Sequence, residues 1–377
     1  MLTFPKLVAF DSSTLGKISY DYWSQDSSRR TKAHSFIANL KERGIYVVFT
    51  SYHLIELLRY EDEKSVWSRL DFFKRIPLIA WLCPYRPSSL PTGDITDLLS
   101  YELHVVVYDS IYNWQQIVEK IRPILWKTGT GSELFDNNDL LWANVIDESK
   151  RFYEKEMVIA SIDRTDPGKV RDLKIKELMD FSIRPEKERK GYYNHFAKVM
   201  KEQLDYHGDK RLTDQKEIAE GFSKNAFHEA IVVNDNVAET INEILKRHNI
   251  PKDLILPEMT VGDVTELAVY AKRLNIVSQN LSPPVELTIK DIPQSTLPSY
   301  VIERKLATIQ RKAHRVKGSD FGDRSLLPLA LYTDGIEVDK RTYEYCLQFK
   351  CKHPKIAKLM KPVVKSSDDY NQLLQSM

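Results

Sequence analysis

Four short apolar runs, each ending at a polar or acidic residue, organise the two ends of the chain. Leu7-Val8-Ala9-Phe10 stops at Asp11. Tyr46-Val47-Val48-Phe49 ends in Thr50-Ser51, a predicted helix start. IPLIAWL, beginning at Ile76, is the third run, and Gly335-Ile336-Glu337-Val338 runs into Asp339. Runs of this length, bounded by turn and cap residues, predict buried parallel strands. Between the first two, Phe36, Ile37 and Leu40 fall at helical spacing, with Ser28 as the predicted cap and Gly44 as the stop. After Ser51, the positions Leu54, Leu57, Leu58, Trp67, Leu70 and Phe73 predict a helix ending at Pro77. Strand–helix–strand–helix–strand predicts an α/β domain with a parallel sheet and helices on its faces.

The pattern changes near Pro84. PYRPSSLPTGD reads as a linker, and beyond it strand signals largely vanish. SIYNWQQIVEKIRPILW, DLLWANVIDESKRFYEKEMVIASI and NVAETINEILKRHN carry helical spacing. After the proline-rich SPPVELTIKDIPQSTLP, a basic helix is expected from Ser299 to Lys317, and the α/β rhythm resumes. The economical division is an α/β domain in two parts, residues 1–90 and 295–377, interrupted by a mostly helical insertion over 91–294.

Composition narrows the class without naming it. Of 377 residues, 42% are hydrophobic and 29% charged, an ordinary globular balance. A net charge of +2 makes no global case for a polyanionic partner, so any such case rests on local clusters. Three cysteines with no CxxC pair fit neither a disulfide framework nor a structural zinc site, and a reducing, cytoplasmic setting is expected. The N-terminal segment lacks the layout of a signal peptide, and no apolar stretch reaches membrane-spanning length. A soluble protein is expected. No Gly-rich phosphate loop is present. His228-Glu229 lacks a second histidine at Val232 and is not a zinc-protease motif. His34, His53 and His314 are expected to be ordinary surface or helix residues.

Asp11 follows one strand, Glu56 lies in the helix after another, and Asp339 follows the last. Parallel strands put all three at the carboxyl edge of the sheet, where ligands collect in open α/β folds. Asp320 and Asp323, three residues apart, share a helix face just before the last strand. Carboxylates gathered at one edge need a cation or raised pKa values. An all-oxygen donor set suits Mg²⁺ or Mn²⁺, and the chemistry such ions support is hydrolysis of a phosphodiester.

These same residues resemble the PIN-domain nucleases. LVAFDSSTL is similar to the family's strand followed by Asp-x-Ser/Asn. VVFTSYHLIEL is similar to the second strand and the helix with the metal-site Glu. GSDFGDRSLLPLALYTDGIEVDKRTYEY is similar to the third motif, an Asp-led helix, a Tyr-x-Asp strand entry and an acidic exit. The resemblance covers about 80 residues at each end of the chain. It implies a three-layer α/β/α domain and a metal-dependent nuclease, RNA favoured over DNA. The implied metal ligands are Asp11, Glu56, Asp323 and Asp339, with Asp320 and Asp334 weaker and Asp334 entering its strand at the far end. Val338 departs from the threonine often found before the last acidic residue.

Each residue also has a plain structural reading. Asp11 and Asp323 could cap helices, Glu56 could pair with a nearby lysine, and Asp339 could pair with Lys340 or Arg341. Arg304, Lys305, Arg311, Lys312, Arg315 and Lys317 form either a solvated helix face or a surface that contacts the phosphates of single-stranded RNA. Tyr343 and Tyr345 could stack on bases or pack on the sheet. The rival function is a non-catalytic PIN-like module. In either case the insertion is the expected surface for a protein partner or a second copy of the chain.

Overall fold

In the computed structural model each of the four apolar runs is a strand. The structure describes residues 5–59, 62–88, 90–136, 139–166, 171–179, 186–231, 242–243, 245–312, 317 and 319–376. By contacts the chain divides into two compact units. The first comprises Met1–Glu156, Ser295–Lys312 and Ser319–Met377, and the second Met157–Gln294 with Ala313–Gly318.

The first unit is mixed α/β. Its elements begin with β1 (Lys6–Ala9), α1 (Ser12–Tyr22), α2 (Ser27–Glu42), β2 (Ile45–Phe49), α3 (Ser51–Leu58), α4 (Glu63–Lys74) and β3 (Ile79–Leu82). They continue with α5 (Ile95–Tyr108), α6 (Trp114–Leu125), β4 (Trp126–Gly129), α7 (Gly131–Phe135) and α8 (Asp139–Arg164), the last reaching past Glu156 into the second unit. Within the second unit lie α9 (Ile175–Met179), α10 (Glu186–His207), α11 (Gln215–Ile231) and α12 (Val261–Asn280). Met200, Leu204 and Ala219, with Ile162, Phe196 and Ile218 against them, form a small core there. The first unit resumes with α13 (Pro298–Gln310), α14 (Ser319–Leu326), β5 (Gly335–Val338), α15 (Lys340–Lys352), α16 (Pro354–Ala357), β6 (Val363–Lys365) and α17 (Tyr370–Ser376).

The six strands run in the order β4-β3-β2-β1-β5-β6, all parallel except β4, which pairs antiparallel with β3. β1 is central, with Leu7 opposite Tyr46 on one side and Ala9 opposite Ile336 on the other. Alternate residues Val8 and Phe10, Ile45, Val47 and Phe49, and Ile79 and Trp81 enter one core with Leu15, Phe36, Leu57, Phe73, Phe135 and Trp142. This is the period-two alternation a sheet imposes, filled by the apolar stripes of the helices that cover that face.

Several local expectations change. Segment 91–156, expected inside the insertion, belongs to the sheet-bearing unit and supplies β4 to its edge. The stretch from Ser51 to Pro77 is two helices, because Asp62 caps a new start at Glu63 by accepting from Ser65 N–H at 3.2 Å. Asp26, not Ser28, caps α2, and Gly44 follows its end at φ +62°, a left-handed conformation that suits glycine. β6 is not among the expected strands, and α1 is the helix that Asp11 was expected to cap on its plain structural reading. The basic helix ends at Gln310 rather than Lys317. Among the described residues no helix is long and apolar enough to cross a membrane.

Candidate functional site

Chain order reverses around β1: β2 and β3 extend the sheet to one side, β5 and β6 to the other. The loops leaving β1 and β5 therefore part, and a crevice opens at the carboxyl ends of the strands. A cleft of about 460 Å³ lies there, lined by Asp11, Glu56, Asp323 and Asp339 together with Lys17, Tyr20, Arg59, Arg69 and small residues. All four principal carboxylates thus meet in one cleft.

Each is delivered by its own local structure. Asp11 caps α1, accepting from Ser13 N–H at 2.8 Å and from the Ser13 hydroxyl. Asp339 caps α15, accepting from Thr342 N–H at 2.6 Å. The Thr342 hydroxyl donates to Asp323 at 2.5 Å, so one threonine ties two of the carboxylates. Glu56 sits 3.4 Å from Arg59, one turn on in sequence. The capping reading thus holds for Asp11, and Asp339, expected to pair with Lys340 or Arg341, caps a helix as well. The lysine partner expected for Glu56 is an arginine.

Electrostatics follow from this crowding. Burial raises the pKa of Asp11, opposed by its Ser13 hydrogen bonds and reinforced by the charge of Asp339. Burial raises Asp323 well above the ordinary range, with the charges of Asp339 and Asp11 adding to it. Glu56 is also raised by burial, partly offset by Arg59. The donors are all oxygen, a set that suits a hard divalent ion. Among the described residues, however, no three such side chains already stand close enough to share one ion. Ser13 holds Asp11, Arg59 pairs with Glu56, and Thr342 bridges Asp323 and Asp339.

The remaining candidates lie elsewhere. Asp320 does not line the cleft; it is buried and pairs with Arg341 at 3.0 Å. Asp334 accepts from Leu7 N–H at 2.9 Å and pairs with Arg122 at 2.5 Å, pinning the start of β1 at the opposite end of the sheet. The Tyr345 hydroxyl accepts from Arg341 and its side chain is buried, so it packs rather than presenting a ring to solvent. Tyr343 is half-buried.

Arg304 and Arg311 are half-buried, Lys305, Lys312 and Lys317 are exposed, and Arg315 lies outside the described residues. None of the described five lines the cleft. Leu306, Ala307, Ile309 and Gln310 bury much of α13, which packs against α5, α14 and α15. Its basic residues do not form one continuous solvated stripe.

Sequence reasoning missed three groups. The cleft's cations are Lys17, Arg59 and Arg69 rather than the basic helix. Glu337, buried in β5, accepts from the Thr14 hydroxyl at 2.6 Å; burial pushes its pKa up to about 8 despite that bond. Its place two residues before Asp339, inside an apolar run, was the available signal. His53 is a helix residue, as expected, but a buried one. Its Nδ1 accepts from Thr50 N–H at 3.1 Å and its Nε2 donates to Phe10 carbonyl oxygen at 3.0 Å, next to Asp11. Burial lowers its pKa to about 4, so the ring is neutral and acts as a brace between the ends of β1 and β2.

Comparison with known proteins adds no identity to this geometry: no family model, no curated protein and no solved structure matches the chain.

Proposed function

We propose that the first unit is a PIN-like three-layer domain and that its cleft is the active site of a divalent-metal-dependent nuclease, acting on RNA in preference to DNA. The observation that carries this reading is the meeting of Asp11, Glu56, Asp323 and Asp339 in one cleft at the β1/β5 switch point. Two of the four come from beyond residue 320 and two from before residue 60, yet they share a cleft and perturb each other's charge.

Asp11, Glu56, Asp323 and Asp339 would hold Mg²⁺ or Mn²⁺. When bound, such an ion lowers the pKa of a water and offsets the charge of a phosphodiester. The chain's own groups do the rest. Thr342 sets the spacing of Asp323 and Asp339, and Ser13 fixes the rotamer of Asp11. Lys17, Arg59 and Arg69 supply positive charge on the cleft wall, where a polyanion would enter. Tyr20, at 67% exposure, offers a ring at the same cleft on which a base can stack.

A non-catalytic module that binds RNA or a protein is the second reading. It is favoured by one fact: each carboxylate already has a partner, and no three described ones share a ready coordination site. Cleavage of single-stranded RNA and DNA with Mg²⁺ or Mn²⁺, with Asp11→Asn alongside, separates the two. Metal-dependent cleavage by wild type alone is expected. Equal cleavage by both proteins overturns the site, and cleavage by neither favours the binding module.

A further inference from the structure

Arg59 pairs with one of the cleft's carboxylates, and its surroundings differ from those of an ordinary surface pair. It follows the end of α3 and lines the cleft. One guanidinium nitrogen, Nη2, lies 3.4 Å from Glu56. The other, Nη1, lies 3.7 Å from Glu156, too long for a hydrogen bond, and is buried without any hydrogen-bond acceptor. The plane of the group rests on the Tyr153 ring, 4.3 Å from its centroid. Glu156 is itself held in place, because it accepts from the Tyr52 hydroxyl at 3.0 Å.

The other two cations of the cleft are differently engaged. Lys17 pairs with Asp368 at 3.1 Å on the surface, and Arg69 donates to the Leu57 carbonyl at 2.9 Å. Arg59 has strong orientation, from an aromatic face and a buried carboxylate, but loose polar contacts. A guanidinium carries five donors in a planar fork, which matches two oxygens of a phosphate.

We propose that Arg59 is the phosphate-binding residue of this cleft, held in position by Tyr153 and Glu156 on α8, and that its pairing with Glu56 competes with a cation for that carboxylate. The inference rests on the nuclease reading for its substrate class, single-stranded RNA, but not for its test. Its anchors come from residues 153 and 156, outside both segments that resemble the nuclease family. The α8 segment thus acts on the cleft through Arg59, since none of its own residues lines it.

Two measurements on the full chain decide it. The first is binding of a fluorescein-labelled single-stranded RNA decanucleotide in EDTA, across 50–200 mM salt. Arg59→Ala should weaken binding about tenfold and lower the slope of log K against log salt by about one, as loss of one phosphate contact requires. Arg59→Lys should keep the slope while losing part of the affinity. Glu156→Gln should fall between Arg59→Lys and Arg59→Ala. The second is titration with Mn²⁺ alone: Arg59→Ala should bind it about fivefold more tightly, because Glu56 is released.

An unchanged salt slope in Arg59→Ala, or no RNA binding by wild type, overturns the proposal. So does weaker Mn²⁺ binding by the variant. If wild type binds RNA and Arg59→Ala loses the slope, but neither cleaves with Mn²⁺, the nuclease reading fails and the Arg59 contact stands. If wild type cleaves, Asp11→Asn does not, and Arg59→Ala keeps its salt slope, the nuclease reading stands and the Arg59 contact fails.

Discussion

Gly322 and Tyr52 occupy adjoining space so closely that a β-carbon at residue 322 would fall inside the phenol ring. The ring enters beside the helix that carries Asp323, and its hydroxyl reaches Glu156. Gly322→Ala should therefore push Tyr52 aside and destabilise the chain by about 1–3 kcal/mol through overpacking. Thermal unfolding of Gly322→Ala, Tyr52→Ala and the double variant tests this. The double variant should be less destabilised than the sum of the singles. Strict additivity would show that the two residues do not compete for the same space.

Asp323 illustrates a trade between stability and binding. Burial and the charges of Asp339 and Asp11 disfavour its ionised form. Asn keeps an oxygen to accept from the Thr342 hydroxyl while removing the charge. In EDTA at pH 7.5, Asp323→Asn should melt a few degrees higher than wild type, for a gain of about 1–2 kcal/mol. Millimolar Mn²⁺ should raise the melting temperature of wild type and leave the variant nearly unmoved. A variant that melts lower in EDTA contradicts the repulsion argument.

Glu102 makes a prediction about pH far from the cleft. It is buried under the start of α13, accepting from Ser299 N–H at 3.0 Å and from the Tyr332 hydroxyl at 2.7 Å. Burial pushes its pKa from 4.5 up to about 7. Between those values the folded chain keeps a proton that the unfolded chain has released. Stability from this group is fully present below pH 4.5 and is lost as pH rises through 7, amounting to about 3 kcal/mol. Glu102→Gln cannot titrate, so its melting temperature relative to wild type should improve as pH goes from 5 to 8. A constant difference across that range would exclude the effect.

Asp334 should behave as a pure fold residue. Its carboxylate holds Leu7 N–H and Arg122 at the end of the sheet away from the cleft. Asp334→Ala should cost about 1–2 kcal/mol, reduced by the partial exposure of the pair. Mn²⁺ affinity by titration should not change. A loss of metal binding out of proportion to the loss of folded protein would place Asp334 in the site after all.

What could be read in advance depended on how local the signal was. β1, β2, β3 and β5 are apolar runs bounded by turn or cap residues, so the buried strands were legible. β4 was not, because Trp126–Gly129 is half-exposed and mixes Trp with Lys, Thr and Gly, and only its pairing with β3 makes it a strand. Asp11 and Asp339 were legible as candidates because each follows a strand, Glu56 because it lies inside an apolar helix, and Asp323 only through the segment that resembles the nuclease family. Asp320 shared the helix face argument with Asp323, yet Arg341, twenty-one residues on in sequence, claims it. Arg59 could not be singled out, since the groups that orient it lie at residues 153 and 156. The stripe on α13 misled for the same reason: spacing shows which residues share a face, not what that face meets.

The pairing of β1 with β5 has a consequence for the chain as it is made. Val8 must wait for Gly335, more than three hundred residues later, before the second side of its strand is covered. Until then the central strand is an edge strand, open to pairing with another chain. The carboxylates arrive on the same schedule: Asp11 and Glu56 emerge well before Asp323 and Asp339. A growing polypeptide therefore carries two of the four carboxylates without the other two, and the cleft's lining is complete only once translation has passed residue 339.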